Sequence, residues 1–232
     1  MKAVILAGGL GSRLKPLTQI IPKPLLPIGE SSILEITIQR LKSSGFKEII
    51  LAVNYKSHLF ESYFHDGSRL GVKITYSKEN KPLGTAGPVK LAGNRLTAPF
   101  LVMNGDILTN LDFAGLREFH IKNKADFTLA TKLLKTPLHY GVVICKGETI
   151  TKLEEKPMIE SEINAGIYFV NPEALKLIPE DRFYNMTDLI KRLIKEKKRV
   201  LRYVIKDYWL DIGQMEDYHK AQADIKKRFF NE

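Results

Sequence analysis

The chain has 232 residues, of which 44% are hydrophobic and 27% charged, and its formal net charge is +10. That size suits one large globular domain spanning 1–232, while the lone Cys145 excludes an intramolecular disulfide. No apolar run approaches the roughly 20 residues that span a bilayer, and the apolar start MKAVILAGG is too short for a signal-peptide core, so a soluble cytoplasmic protein with no membrane partner is expected.

The first hundred residues alternate strand with helix. AVILA (3–7) is a continuous apolar run, as in a strand buried on both faces. A helix is predicted over 31–45, with a serine cap, Leu34, Ile38 and Leu41 on one face and Gly45 to end it. Strand 47–53, a short helix over 57–64 and strand 72–77 follow. Residues 83–92 open a helix with Pro88 in its first turn, where a missing N–H costs nothing. Strand 100–106 ends in a polar tip, and 112–123 is amphipathic. This order argues for a mostly parallel sheet with helices on both faces.

The second half changes character. Four strand-like segments follow one another: ADFTLATKLL, YGVVICK, TITKLEEKP and INAGIYFVN. They imply a mixed or antiparallel extension of the sheet, with Cys145 as a core residue of its strand. A helix is predicted over 185–200, with Leu189, Ile190, Leu193 and Ile194 on a shared face, and a closing helix over 214–230. The basic runs KEKKR (195–199) and KKR (226–228) read as solvated helix faces. No aromatic-rich stripe accompanies them, so no nucleic-acid partner is expected.

Ligands of open α/β sheets bind beyond the carboxyl ends of the strands. The first strand ends in Gly8, Gly9 and Gly11, which let backbone N–H groups approach an anion, and Arg13 adds a fork of donors for phosphate oxygens. A Walker A loop needs G-K-[ST], and Gly11-Ser12-Arg13 stands there instead. A dinucleotide fingerprint needs a third glycine, and Leu14 occupies its place. The glycine turn alone fits a phosphate loop or an ordinary tight turn equally. Lys23 lies between Pro22 and Pro24, whose φ is fixed near −65°, so its backbone is stiff. That suits a lysine meeting a phosphate at one point, or a proline-rich surface loop.

LAGGLGSRLKPLT (6–18) followed by PKPLLPIG (22–29) resembles the signature of the sugar-1-phosphate nucleotidylyltransferases. PLGTAGPVKLA, VMNGDIL, YGVVI, EEKP, NAGIYFVNPEAL and YWLDIGQMEDYHKA resemble further blocks of that family, in family order and over nearly the whole chain. The resemblance implies a Rossmann-like, doubly wound mixed sheet, with a nucleotide-binding half over 1–110 and a sugar-binding half over 111–232. It also implies nucleotidyl transfer from a nucleoside triphosphate to a sugar 1-phosphate, releasing pyrophosphate by in-line attack.

By that resemblance Arg13, Lys23 and Asp106 are catalytic. Leu6, Ala7, Gly8, Gly9, Gly11, Ser12 and Arg13 cradle the triphosphate, and Glu79, Gly84 and Thr85 face the base. Asn104, Gly141, Glu155, Lys156, Asn164 and Gly166 hold the sugar phosphate. Asp106, ending the strand LVMNGD, and Asp211, in YWLDIG, bind Mg2+, a cation that takes one or two carboxylates plus substrate phosphates. Trp209 is expected as core beside Asp211.

An ionised Glu79 only accepts hydrogen bonds. Guanine offers N1–H and N2–H side by side, whereas uracil and thymine offer one donor between two carbonyls. Guanine therefore fits best, with UTP and dTTP as the open alternatives, and the resemblance to short mannose- and heptose-1-phosphate guanylyltransferase-like proteins implies a mannose-, heptose- or hexosamine-type sugar 1-phosphate. A non-catalytic nucleotide-sugar regulator would be expected to lose Arg13, Lys23 or an aspartate, and all are present. No hexapeptide periodicity of a C-terminal β-helix is seen, and the sequence leaves room for a homo-oligomer.

Overall fold

The computed structural model describes residues 1–9, 11–54 and 56–229, with side chains up to 225. Strand β1 (Lys2–Leu6) lies between β4 (Glu48–Val53) and β6 (Phe100–Asn104), parallel to both. Its apolar run places Ala3, Val4 and Ile5 at 0% exposure, because both faces of a central parallel strand are covered. Beyond β4, β5 (Lys73–Lys78) adds in parallel. Beyond β6 the sheet turns mixed. There β11 (Met158–Val170) pairs antiparallel with β6 and with β8 (Phe127–Pro137), and β12 (Val200–Val204) runs parallel to β8 at the edge. The order is β12-β8-β11-β6-β1-β4-β5.

Helices cover both faces. On one, Leu34, Ile38 and Leu41 of α1 (Ile33–Ser43), Phe60 and Phe64 of α2 (Ser57–Phe64) and Phe113 and Leu116 of α4 (Phe113–Lys122) join the core. On the other, Val89 of α3 (Gly87–Leu91) and Met186, Leu189 and Leu193 of α5 (Met186–Lys195) pack on Val4, Val102 and Tyr168. Ser32 Oγ accepts from Glu35 N at the start of α1, a cap worth about 1 kcal/mol, and Gly45 follows the helix with φ +85°.

Three small additions complete the fold. β2 (Pro27–Ile28) pairs with β3 (Ser31–Ser32). β7 (Ile107–Thr109) pairs antiparallel with β13 (Trp209–Asp211). β9 (Val142–Lys146) and β10 (Thr149–Glu154) form a hairpin of their own. Helix α6 (Met215–Phe229) closes the chain; Phe230 of the predicted closing helix and the KKR side chains lie outside the described residues. Among the described residues no helix is long and apolar enough to cross a membrane.

Several expectations need correction. The helix predicted over 185–200 ends at Lys195. Lys197 takes φ +55° and the chain turns into β12, so most of KEKKR is a turn rather than a helix face. Ile194 is 60% exposed and lies off the buried stripe of Met186, Leu189 and Leu193. Residues 83–86 are loop, and the helix with Pro88 starts only at Gly87. Cys145 is exposed, because its strand belongs to the separate hairpin rather than to the covered sheet.

His120 ties α4 to the sheet. It is 1% exposed, with Nε2 against Asn171 Oδ1 at 3.1 Å and Nδ1 against Thr128 Oγ1 at 2.8 Å. The neutral ring that donates through Nε2 and accepts at Nδ1 satisfies both partners. Burial holds its pKa below the ordinary value near 6.5. A depressed histidine stabilises the fold above its unfolded pKa, and that contribution falls away as pH drops towards the folded value. The melting temperature is therefore expected to fall as pH is lowered from 7 through the mid-acid range, more steeply than in His120→Gln. Equal slopes in differential scanning calorimetry would show that His120 is not responsible.

Candidate active site

A cleft of about 620 Å³ opens at the carboxyl ends of β1, β4 and β6. Gly8, Gly9 and Gly11 line it. A Cβ added at Gly8 would lie 3.1 Å from Glu79 Oε1 and 3.3 Å from Asn54 Cβ, so the loop passes close under both. Gly11 has φ +61°, and a Cβ there would meet Thr18 Cγ2 at 2.9 Å. Thr18 Oγ1 donates to the Gly11 carbonyl at 2.7 Å, and Leu14 N donates to the same oxygen at 3.0 Å. These bonds hold the single turn Ser12–Leu14 that presents Ser12 and Arg13 at the cleft.

Lys23 opens the short turn Lys23–Leu25, directly after Pro22. It is 7% exposed, and its Nζ lies 2.5 Å from Asp106 Oδ2 and 3.9 Å from Asp211 Oδ1. Asp106 follows β6, and β13 brings Asp211 opposite Ile107. A bond from Ile212 N to the Asp106 carbonyl, 3.0 Å, closes that register. Asp211 is pushed above the usual carboxylate range by desolvation and then by the Asp106 charge, while Lys23 and Arg13 pull it down. Asp106 Oδ1 is buried with no hydrogen-bond partner.

Two converging carboxylates, one oxygen of them orphaned, fit a divalent cation that completes its shell with phosphate oxygens. No cluster of three or more His, Cys, Asp or Glu that could hold a metal alone occurs among the described residues.

The far end of the cleft is built from residues 79–85. Glu79 Oε2 accepts from Leu83 N at 2.9 Å. Burial raises the Glu79 pKa, and the Leu83 N–H works against that rise. The loop is stitched to the start of α5. Tyr184 N donates to the Leu83 carbonyl (2.9 Å), Ala86 N to the Tyr184 carbonyl (2.9 Å), and Met186 N to Thr85 Oγ1 (2.8 Å). The Thr85 hydroxyl is thus engaged in holding the wall.

Phe183, 64% exposed, lines the rim beside this loop. Sequence reasoning missed it, because it sits in an irregular segment without periodicity. Asn54, also missed, directly follows β4 and was findable by the strand-end rule.

The residues expected to hold sugar divide into two groups. Asn104 lines the cleft, and a Cβ on Gly166 (φ +68°) would lie 2.7 Å from Asn104 Nδ2. Asn164 Oδ1 accepts from Gly166 N (2.8 Å) and its Nδ2 donates to the Tyr168 hydroxyl (3.0 Å), which shapes the bulge in β11. Gly141, Glu155 and Lys156 sit at the root of the β9–β10 hairpin, outside the cleft lining. A Cβ on Gly141 would lie 3.0 Å from Glu155 Oε2. Trp209 packs on the core and donates from Nε1 to the Ala165 carbonyl at 3.0 Å.

Residues 2–228 match the nucleotidyl transferase family. The chain is 38% identical over 227 residues to a probable mannose-1-phosphate guanylyltransferase 1 of Oryza sativa subsp. japonica, covering 94% of this chain and 63% of the relative. It is 38% identical over 229 residues to a mannose-1-phosphate guanyltransferase of Yarrowia lipolytica, covering 94% and 62%. It therefore spans less than two thirds of the length of these relatives. Among solved structures it is similar to a putative glucose-1-phosphate thymidylyltransferase from Bacillus anthracis in complex with a sucrose, with TM-score 0.82, 25% identity and coverage of 100% and 98%. It is also similar to HddC from Yersinia pseudotuberculosis complexed with GMP-PN, with TM-score 0.78, 29% identity and coverage of 97% and 99%.

The stitched wall has a sensitive point. Gly84 has φ +77°, and a Cβ there would stand 2.6 Å from the Tyr184 carbonyl oxygen. Gly84→Ala is expected to cost about 2–4 kcal/mol through backbone strain and the parting of the two segments. Urea unfolding checks this, and a change within ~0.5 kcal/mol, the size of an ordinary surface substitution, would contradict it.

Proposed function

The chain belongs to the nucleotidyl transferase family, and we propose that it transfers a guanylyl group from GTP to a mannose-type sugar 1-phosphate, in the cytoplasm, releasing pyrophosphate. The observation that carries this reading is the polarity of the cleft at the strand ends. Arg13, Lys23 and Asp106 line one end of it, with Asp211 behind them 3.9 Å from Lys23, and Glu79 lines the wall after β5. The relatives at 38% identity that bear guanylyltransferase names support the base.

In this reading an oxygen of the sugar phosphate attacks the α-phosphorus in line. A new P–O bond forms as the bond to the bridging β-phosphate oxygen breaks, and pyrophosphate leaves with that electron pair. Such a reaction asks for positioning and charge neutralisation rather than a protein nucleophile. The amides of the glycine loop and the Arg13 guanidinium hold the leaving pyrophosphate. Lys23, stiffly mounted and already desolvated, meets the α-phosphate and the entering oxygen.

Asp106 and Asp211 would hold Mg2+, which supplies further neutralisation of the phosphates. Glu79 accepts from the guanine edge through the carboxylate oxygen that faces the glycine loop, while Leu83 N fixes the other. The Phe183 ring offers the base an apolar face at the rim. Asn104, Gly141, Glu155, Lys156, Asn164 and Gly166 take the sugar phosphate.

A pyrophosphate-release assay of GTP, UTP, dTTP, ATP and CTP against mannose 1-phosphate and related sugar 1-phosphates tests the reading. GTP with a mannose-type acceptor is expected to turn over at least about tenfold faster than any other pair, a margin of about 1.4 kcal/mol. Faster turnover with UTP or dTTP would overturn the base assignment.

In the same assay Lys23→Ala and Asp106→Asn are each expected to lower turnover by about 10²-fold or more, with the far-UV circular dichroism of the parent. Near-normal rates in both would place the chemistry elsewhere.

A further inference from the structure

The outer halves of β8 and β11 run past the covered sheet as a two-stranded ribbon. Residues 133–137 and 158–162 are exposed on both strands. The β9–β10 hairpin continues from it, joined through Leu138 N to the Pro157 carbonyl at 2.9 Å. In the hairpin register Val143 faces Leu153 and Cys145 faces Ile150. These cross-strand pairs make one apolar face, with Val143 49%, Leu153 66% and Ile150 64% exposed and Cys145 exposed. Nine of the eighteen exposed large hydrophobic side chains among the described residues fall within 133–159. A hairpin left to water on both faces is marginal, and it gains stability when a hydrophobic face is covered.

Charge identifies the occupant. Residues 132–163 carry five lysines, five glutamates and no arginine or aspartate, so this arm is neutral and the remainder of the chain holds the whole +10. A nucleic acid or an anionic membrane would select the cationic body rather than the neutral arm. An acidic protein would do the same. Two copies of a chain this cationic repel each other least at such a neutral face. Interspersed signs, as in the pairs Lys135–Glu160 (3.6 Å) and Lys152–Glu154, make that face self-complementary under a twofold axis.

We propose that the β9–β10 hairpin and the adjoining ribbon form an isologous interface with a second copy of this chain, the Val143–Leu153 and Cys145–Ile150 faces packing against their equivalents.

Sedimentation equilibrium from about 1 to about 100 µM tests this by mass action. Wild type is expected to reach twice the 26.4 kDa chain mass, and the V143K/L153K double variant to stay at one chain mass. A wild type that remains a single chain throughout overturns the proposal, as does a dimer that the double variant leaves intact. Hydrogen exchange of the wild type alone keeps the test decisive if the variant does not fold. Amides of 142–154 should be slower at the higher concentration, and exchange independent of concentration overturns the proposal.

Discussion

The ion pair between Lys23 and Asp106 is the constraint around which the cleft is organised. An ammonium group 7% exposed has little water to solvate it, so its partner carboxylate answers most of its charge, and removing one member of such a pair is destabilising. The chain meets that demand from three distant places. A proline-flanked turn aims the lysine, the end of β6 supplies the first carboxylate, and the β7–β13 pairing swings the second to 3.9 Å. Neither aspartate is held by a loop alone. Each is anchored by strand pairing or by a backbone bond at its neighbour, so the charges meet with little freedom left to lose.

The opposite end of the cleft follows another logic. Its wall is a loop, residues 79–86, made rigid by a second segment 100 residues away in sequence. Backbone bonds between Leu83, Ala86 and Tyr184, and the side-chain bond from Thr85 to Met186, bind the first half of the chain to the second. The wall therefore moves with α5 rather than independently, and Phe183 is carried into place by the same stitching.

Much of this was legible in the sequence because burial writes itself as apolar runs. The strands at 3–7, 47–53, 72–77 and 100–106 sit on or next to the observed ones, since parallel strands covered on both faces need no polar alternation. The glycine turn and the stiff lysine were legible as residues, but their convergence with Asp106 and Asp211 was not. Nothing local links positions 106 and 211 until β7 finds β13. The edge strand β12 escaped notice because VLRYV follows a helical apolar stripe without a break in hydrophobicity. Cys145 looked buried for the opposite reason: an apolar run shows that a strand has something to cover, and says nothing about whether a helix arrives to cover it.

The origin of Asp211 also sets an order on biosynthesis. A nascent chain that has emerged through residue 200 already holds the glycine loop, Lys23, Asp106 and the whole segment that braces the far wall. It still lacks β12, helix α6 and the strand β13 that delivers the second carboxylate. The second carboxylate therefore joins the cleft only after residues 201–211 have been made, and a chain stopped at 200 would hold the Lys23–Asp106 pair without Asp211 beside it.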